Sequence, residues 1–383
     1  MRAGNFLKNS LLVMAGLAAA WLLLEAALRL YHPLEIRFKP DRIVLPVNKR
    51  YVFDNCKKFP HKLPRTTVHT KNFLGFRGAP PPKDFADYLT IVTIGGSTTE
   101  CFYLSDGKTW TDVLGRLLSG DFRRLWVNNA GLDGATTYRH LLLLEDYLVK
   151  LRPKVAIFLV GINDVGAGDL EESNRKKSSA LKNLSNRVMN HSEVYSLGQN
   201  LYRYLVARDR GLHHREIDLK SQETLDRVAA GVREETLSKL HQESLPYYRQ
   251  RLEKLIVTGR GHGIEPVFLT QPVLYGKGTD PATAVDLATV KLGENLNGAL
   301  MLEVVELYNE ALRQVARRSG APLIDLAAKM PRDSALYYDY LHYTEAGAVA
   351  VAEIVHRELR PLLALKYPEM VRAGGVGNKG QED

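Results

Sequence analysis

Ser97 stands in "TIVTIGGSTTE", residues 90–100, where a hydrophobic run ends on two glycines, a serine and two threonines. A hydroxyl in that place has two readings. It caps a helix N-terminus, or it is a nucleophile at the carboxyl end of a parallel strand, where open α/β sheets put their chemistry. Three other segments bear on the choice. "NAGLDGATT" sets Gly134 at a turn into a helix, "GIND" brings Asn163, and "YYDYLHYTEAGA" carries Asp339 and His342. A serine attacks only after a base takes its proton, and histidine suits that task near neutral pH. Asp339, three residues before His342, can hold the other imidazole nitrogen from the same turn. The backbone N–H groups of Ser97 and Gly134, with the Asn163 carboxamide, offer donors for an oxyanion.

Taken singly, each residue also has a plain structural reading. Asn163-Asp164 suits a turn or helix cap, Gly134 suits turn chemistry alone, and a single histidine is often structural. Asp-x-x-His could also contribute to a metal site, but no second cluster of His, Cys or carboxylates has matching spacing. No metal or other cofactor is expected. The joint arrangement is what is hard to obtain by accident. The Gly-x-Ser-x-Gly elbow is absent, because Thr99 occupies its last position.

These residues need a scaffold that delivers separate segments to one edge. Five candidate strands do so: "LTIVTIG" (89–95), "RLWVNNA" (124–130), "KVAIFLVG" (154–161), "EPVFLTQ" (265–271) and "APLIDLA" (321–327). Helical spacers separate them, which implies a doubly wound parallel sheet covered on both faces. The third strand reads as apolar on both faces, as a buried central strand should. The main domain is expected over 89–370, with a helical insertion at about 165–221 after the third strand. That insertion carries Arg175, Lys176, Lys177, Arg187, Arg203, Arg208 and Arg210 and is expected to shape substrate choice rather than chemistry. Residues 34–88 read as an irregular connector packed on the main body, and 371–383 as a disordered tail. Asp325 reads as structural, and Asp164, in "GIND", is a second carboxylate that could be mistaken for the partner of the histidine.

The order "GGST", "NAGLDGAT", "GIND" and "DYLH" resembles blocks I, II, III and V of the SGNH (GDSL) hydrolase superfamily. The resemblance covers roughly residues 89–365. "TKNFLGFRG" upstream and "LYNEALRQVA" before the last strand also resemble membrane-anchored bacterial members. It implies a flavodoxin-like three-layer α/β/α sandwich with a five-stranded parallel sheet, and esterase, lipase, thioesterase or carbohydrate acetylesterase activity. By block, it implies Ser97 as nucleophile and first oxyanion donor, Gly134 and Asn163 as the other donors, His342 as base and Asp339 as its orienter. The family's Gly-Asp-Ser is Gly95-Gly96-Ser97 here, so a carboxylate beside the nucleophile is missing.

The first 33 residues bear on location. Arg2 and Lys8 precede an apolar run from Ser10 to Leu28, 19 residues. At about 1.5 Å per residue this is just enough to span a bilayer core. Ala18 and Ala20 would form a cleavage site only inside the run, so a retained signal-anchor with the body outside the cytoplasm is expected. Glu25, near the outer edge, is not read as catalytic. The net charge of +9 suits an acidic surface, and anionic lipid explains it as well as nucleic acid does. No RNP-like, zinc-finger or bZIP pattern is present, so nucleic acid is not an expected partner. Two cysteines, Cys56 and Cys101, allow one disulfide or two thiols. The expected substrate is an acylated, here acetylated, glycan or a small ester. Alternatives are acyl transfer to a cell-surface polysaccharide and non-catalytic glycan binding.

Overall fold

The structure, a computed structural model, describes residues 2–31, 37–38, 42–168, 191–209 and 214–372. The chain starts with helix α1 (Arg2–Leu30), followed by strands β1 (Lys49–Asp54), β2 (Thr66–Lys71) and β3 (Leu89–Gly95). After β3 come the single-turn helix α2 (Ser97–Glu100), α3 (Trp110–Asp121), β4 (Leu125–Asn129), α4 (Thr137–Leu143) and β5 (Val155–Leu159). Three helices follow: α5 (Glu193–Asp209), α6 (Ala230–Glu243) and α7 (Leu245–Gly261). Strand β6 (Glu265–Leu269), helix α8 (Gly298–Ser319), strand β7 (Leu323–Ile324) and helix α9 (Glu345–Lys366) complete the order.

Strands β3 to β7 form one parallel five-stranded sheet in the order β7-β6-β5-β3-β4. This is the flavodoxin-like winding, in which the chain changes direction beside the first strand. The switch lies between β3 and β5, whose last residues pair as Gly95 with Leu159. Every residue of β3 and β5 is buried, because helices cover both faces. Helix α3 packs on α9, and α7 packs on α4 and α8. The two central strands therefore end side by side at the one edge where open sheets of this winding hold ligands.

Residues 34–88 are not simply irregular. Strands β1 and β2 pair antiparallel from Lys49–Lys71 to Asp54–Thr66. The buried positions of β2 are Thr67, His69 and Lys71, so its inward face is polar and shows no hydrophobic alternation. The connection is also far longer than the two-residue turn that marks a hairpin in sequence.

Two compact units divide the chain: residues 1–46 with 171–213, and residues 47–170 with 214–383. In the first, Lys8–Leu30 is 23 residues with mean hydropathy 2.1, long and apolar enough to cross a membrane. Its Glu25 carboxylate is buried as a cap for α5. It accepts from the backbone N–H of Glu193 and Val194 at 2.9 and 3.1 Å and from the Ser192 hydroxyl at 3.0 Å. Arg29 pairs with the same carboxylate at 3.0 Å. A carboxylate at a helix N-terminus satisfies orphan donors and complements the helix dipole.

The second unit holds the parallel sheet and the hairpin, and it reclaims the end of the expected insertion: residues 214–221 pack on it. Arg175, Lys176, Lys177, Arg187 and Arg210 lie outside the described residues, as does the stretch 373–383.

Candidate active site

The turn after β3 is held rigid by its carbonyls. A helix of one turn leaves its C=O groups without intrahelical donors, and here side chains from elsewhere supply them. Trp110 Nε1 donates to Thr98 O at 3.1 Å and Asn129 Nδ2 to Thr99 O at 2.6 Å. The buried Arg77 donates to Glu100 O at 2.9 Å and to Cys101 O at 2.7 Å. Cys101 ends the turn in the left-handed region, with φ 49°. The N-cap of α2 is Gly96, so Ser97 is the first helical residue and its hydroxyl is free of capping duty. Of the two readings of this serine, capping is not the one observed.

That hydroxyl points to the loop before α9. Ser97 Oγ lies 2.7 Å from His342 Nε2, and His342 Nδ1 lies 2.7 Å from Asp339 Oδ2. The tautomer that satisfies both contacts has its proton on Nδ1, donated to Asp339, and accepts the Ser97 hydroxyl at Nε2. Asp339 Oδ1 also accepts the N–H groups of Leu341 and His342, each at 2.8 Å. Burial works to raise the Asp339 pKa, but the facing His342 and His214 and these N–H donors outweigh it, and the carboxyl is held below its ordinary range. Such a chain lets the serine lose its proton to imidazole while a carboxylate steadies the imidazolium.

Asn163 and Gly134 arrive from the neighbouring strand ends. Asn163 Nδ2 donates to Ala135 O at 3.0 Å. A Cβ on Gly96 would sit 2.2 Å from that same Nδ2, so the carboxamide lies directly over the backbone before Ser97. The missing family carboxylate has a physical counterpart here: a side chain at position 96 would displace Asn163. Gly134 has φ +63°, which L residues with a Cβ adopt at a cost. The segments carrying Ser97, Gly134 and Asn163 thus converge at the switch point.

Several residues of the site escaped sequence reasoning. His214, at the end of the expected insertion, lies against His342 with ring centroids 4.1 Å apart. Its Nδ1 is 2.7 Å from the Tyr338 hydroxyl and its Nε2 is 3.5 Å from Asp133 Oδ2. Below them, Glu100 Oε2 accepts the Asp133 N–H at 2.7 Å. Glu100 Oε1 faces the buried Lys71 Nζ at 2.7 Å, ion-pair distance though off the line of a well-directed hydrogen bond. Burial pulls the Lys71 pKa down and Glu100 opposes the fall. Burial also drives His69 down to about 2, with Arg77 and Lys71 adding to it, so it stays neutral and donates Nδ1–H to Phe102 O at 3.1 Å. Lys71 and Arg77 both lie in "TKNFLGFRG", which in sequence carries only a family resemblance and no sign of this buried cluster.

Donor atoms of His214, Asp339 and His342 fall within 4.8 Å of one another, close enough to hold a metal ion. Each histidine is already engaged, His342 by Ser97 and Asp339 and His214 by Tyr338 and Asp133, which fits a hydrogen-bonded cluster. Asp164 is occupied elsewhere: it accepts from Thr137 N at 3.1 Å and pairs with the buried Arg251 at 3.3 Å. Asp325 is held by Thr270 and Arg313, a structural placement. Cys56 is exposed, Cys101 is buried with its thiol pushed up to about 12 by burial, and both are free.

Known structures with likeness to the chain include three of esterase or hydrolase type. An α/β hydrolase from the metagenome of Lake Arreo is 18% identical, with 71% of this chain and 95% of that one covered at a TM-score of 0.42. An acetylxylan esterase from Geobacillus stearothermophilus is 16% identical, with 70% and 93% covered at 0.40. A psychrotrophic esterase from Pseudoalteromonas is 12% identical, with 72% and 98% covered at 0.40. Likeness at this level carries no argument about substrate. A search of curated proteins finds no match to this sequence. A sequence model described as the GDSL-like Lipase/Acylhydrolase family matches residues 93–350, well over half of the chain, including Ser97, Gly134, Asn163, Asp339 and His342. The chain therefore belongs to the GDSL-like lipase/acylhydrolase family and is an ester-hydrolysing serine hydrolase.

Proposed function

We propose that Ser97, His342 and Asp339 are the catalytic triad of an esterase that removes acyl groups, acetyl above all, from an extracytoplasmic glycan or a related ester. The observation that supports this most is the continuous chain from Ser97 Oγ to His342 to Asp339, two contacts of 2.7 Å. In this reading Ser97 Oγ bonds to the acyl carbon as its proton passes to His342 Nε2. The Ser97 and Gly134 N–H groups and Asn163 Nδ2 receive the oxyanion. Collapse breaks the ester C–O bond, and the imidazolium returns its proton to the leaving alcohol. Water then repeats the sequence on the acyl-serine and releases the acid. A sugar hydroxyl in place of water would make the same intermediate a transferase.

The helix Lys8–Leu30 supports membrane attachment, because its leucines at 11, 12, 17, 22 and 23 are all exposed. At about 1.5 Å per residue it is long enough for the roughly 30 Å hydrocarbon core. The catalytic unit would lie on the far side of that membrane. Full-length protein should stay with membranes at high salt, and a soluble chain starting near Trp21 would show a cleaved signal instead.

The chemistry is tested by labelling the full chain in detergent with a fluorophosphonate while following acetate release and acetyl transfer from acetylated glycans. One adduct on Ser97 and acetate release are expected. Labelling that persists in Ser97→Ala overturns the assignment, and transfer without release makes the protein an acyltransferase.

A further inference from the structure

We propose that His214 is a positioning residue and charge gate for His342: neutral, it braces the base, and protonated, it opposes the imidazolium that the reaction must form. The inference rests on the triad reading above.

The bracing is geometric. The His214 ring lies 4.1 Å from that of His342 at 43°. Tyr338 lies nearly parallel to His342, at 5.4 Å and 10°, and holds His214 through its hydroxyl at 2.7 Å. Burial keeps the Tyr338 hydroxyl protonated far above neutrality, so it donates and His214 Nδ1 accepts. The remaining proton of neutral His214 then sits on Nε2 and faces Asp133. Both nitrogens are thereby committed, which leaves His214 without a free atom for substrate. It acts through His342.

The gate follows from charge. When Ser97 transfers its proton, His342 becomes a cation, and a second cation one ring away disfavours that state. Six groups from four segments face His214 or act on it. Tyr103, after α2, packs its ring at 5.3 Å. Asp133 comes from the loop after β4, Glu100 acts from α2, and Tyr338, Asp339 and His342 come from the loop before α9. Burial works to lower the His214 pKa, but Asp133 first, then Asp339 and Glu100, outweigh it, and the net direction is upward. A raised value extends the charged form to higher pH, so activity is lost as pH falls through it.

The test is the pH profile of kcat/KM for p-nitrophenyl acetate and of the fluorophosphonate labelling rate, with the full chain in detergent. His214→Gln should move the acid limb to lower pH, a severalfold gain in rate relative to its own plateau on the acid side. Asp133→Asn should move it the same way by less, since His214 keeps its other partners. The alkaline plateau of His214→Gln should fall severalfold as the brace is lost. If His214→Gln does not fold, Asp133→Asn carries the test through the direction of its shift. An acid limb that stays in place, or moves up, overturns the gate. Failure of the native protein to label at Ser97 at any pH overturns the triad reading itself, and that outcome is distinct from an unmoved limb.

Discussion

Asp339–His342 and Asp133–His214 are two carboxylate–imidazole pairs in contact, built in opposite ways. The first lies within one loop, three residues apart, at 2.7 Å, with Asp339 9% exposed and bound by two backbone N–H groups besides. The second joins residues far apart in the chain, at 3.5 Å, and the Asp133 side chain is 52% exposed. A short, shielded contact keeps one geometry, whereas solvent around Asp133 screens the longer one. The molecule thus sets a fixed pair beside an adjustable one.

The largest expected effect comes from breaking the fixed pair. Asp339→Asn should lower kcat by about 10⁴, the cost of leaving the base in the wrong tautomer. A loss under tenfold would mean that the two pairs share the orienting role. Next is the buried support beneath both. Lys71→Met leaves Glu100 buried without its cation, and removing one partner of a buried pair costs about 3–5 kcal/mol. Thermal melting should show that loss, whereas an unchanged Tm would mean that Glu100 has neutralised or found another donor.

Smaller effects sharpen the contrast at the oxyanion side. Asn163→Ala should lower kcat by about 10²–10³ with KM little changed. Gly96→Asp, which restores the family residue, should match it, because the new side chain displaces Asn163 Nδ2. If Gly96→Asp is as active as the native protein, Asn163 is not held in the way proposed. Smallest of all, replacing 171–213 with a linker while keeping His214 should spare small acetyl esters and impair the natural polymer. Equal loss of both activities in a folded protein would place that segment in the catalytic scaffold.

The Asp339–His342 loop, the Ser97 turn and the "GIND" strand end were legible because each is local: a residue type at a strand end or within one turn carries the signal. The five strands were legible for the same reason, although β7 shrank to Leu323–Ile324. Strands β1 and β2 were not, since their buried face carries Thr67, His69 and Lys71 rather than apolar residues. His214 was hidden among basic residues of a segment read as an insertion, and no spacing links it to residue 342. Glu25 read as an edge charge on an apolar helix, and its capping of α5 needed the partner helix to be placed.

The amino-acid sequence by itself determined a doubly wound parallel sheet and put Ser97, Asn163, Asp339 and His342 forward as candidates at its strand ends, because hydrophobic periodicity and short turns act over a few residues. Only the tertiary structure decided what surrounds them. Lys71 with Arg77, Asp133 and His214 come from three distant segments, and buried polar groups find partners wherever the fold brings a donor and an acceptor together. That requirement acts on space rather than on sequence separation.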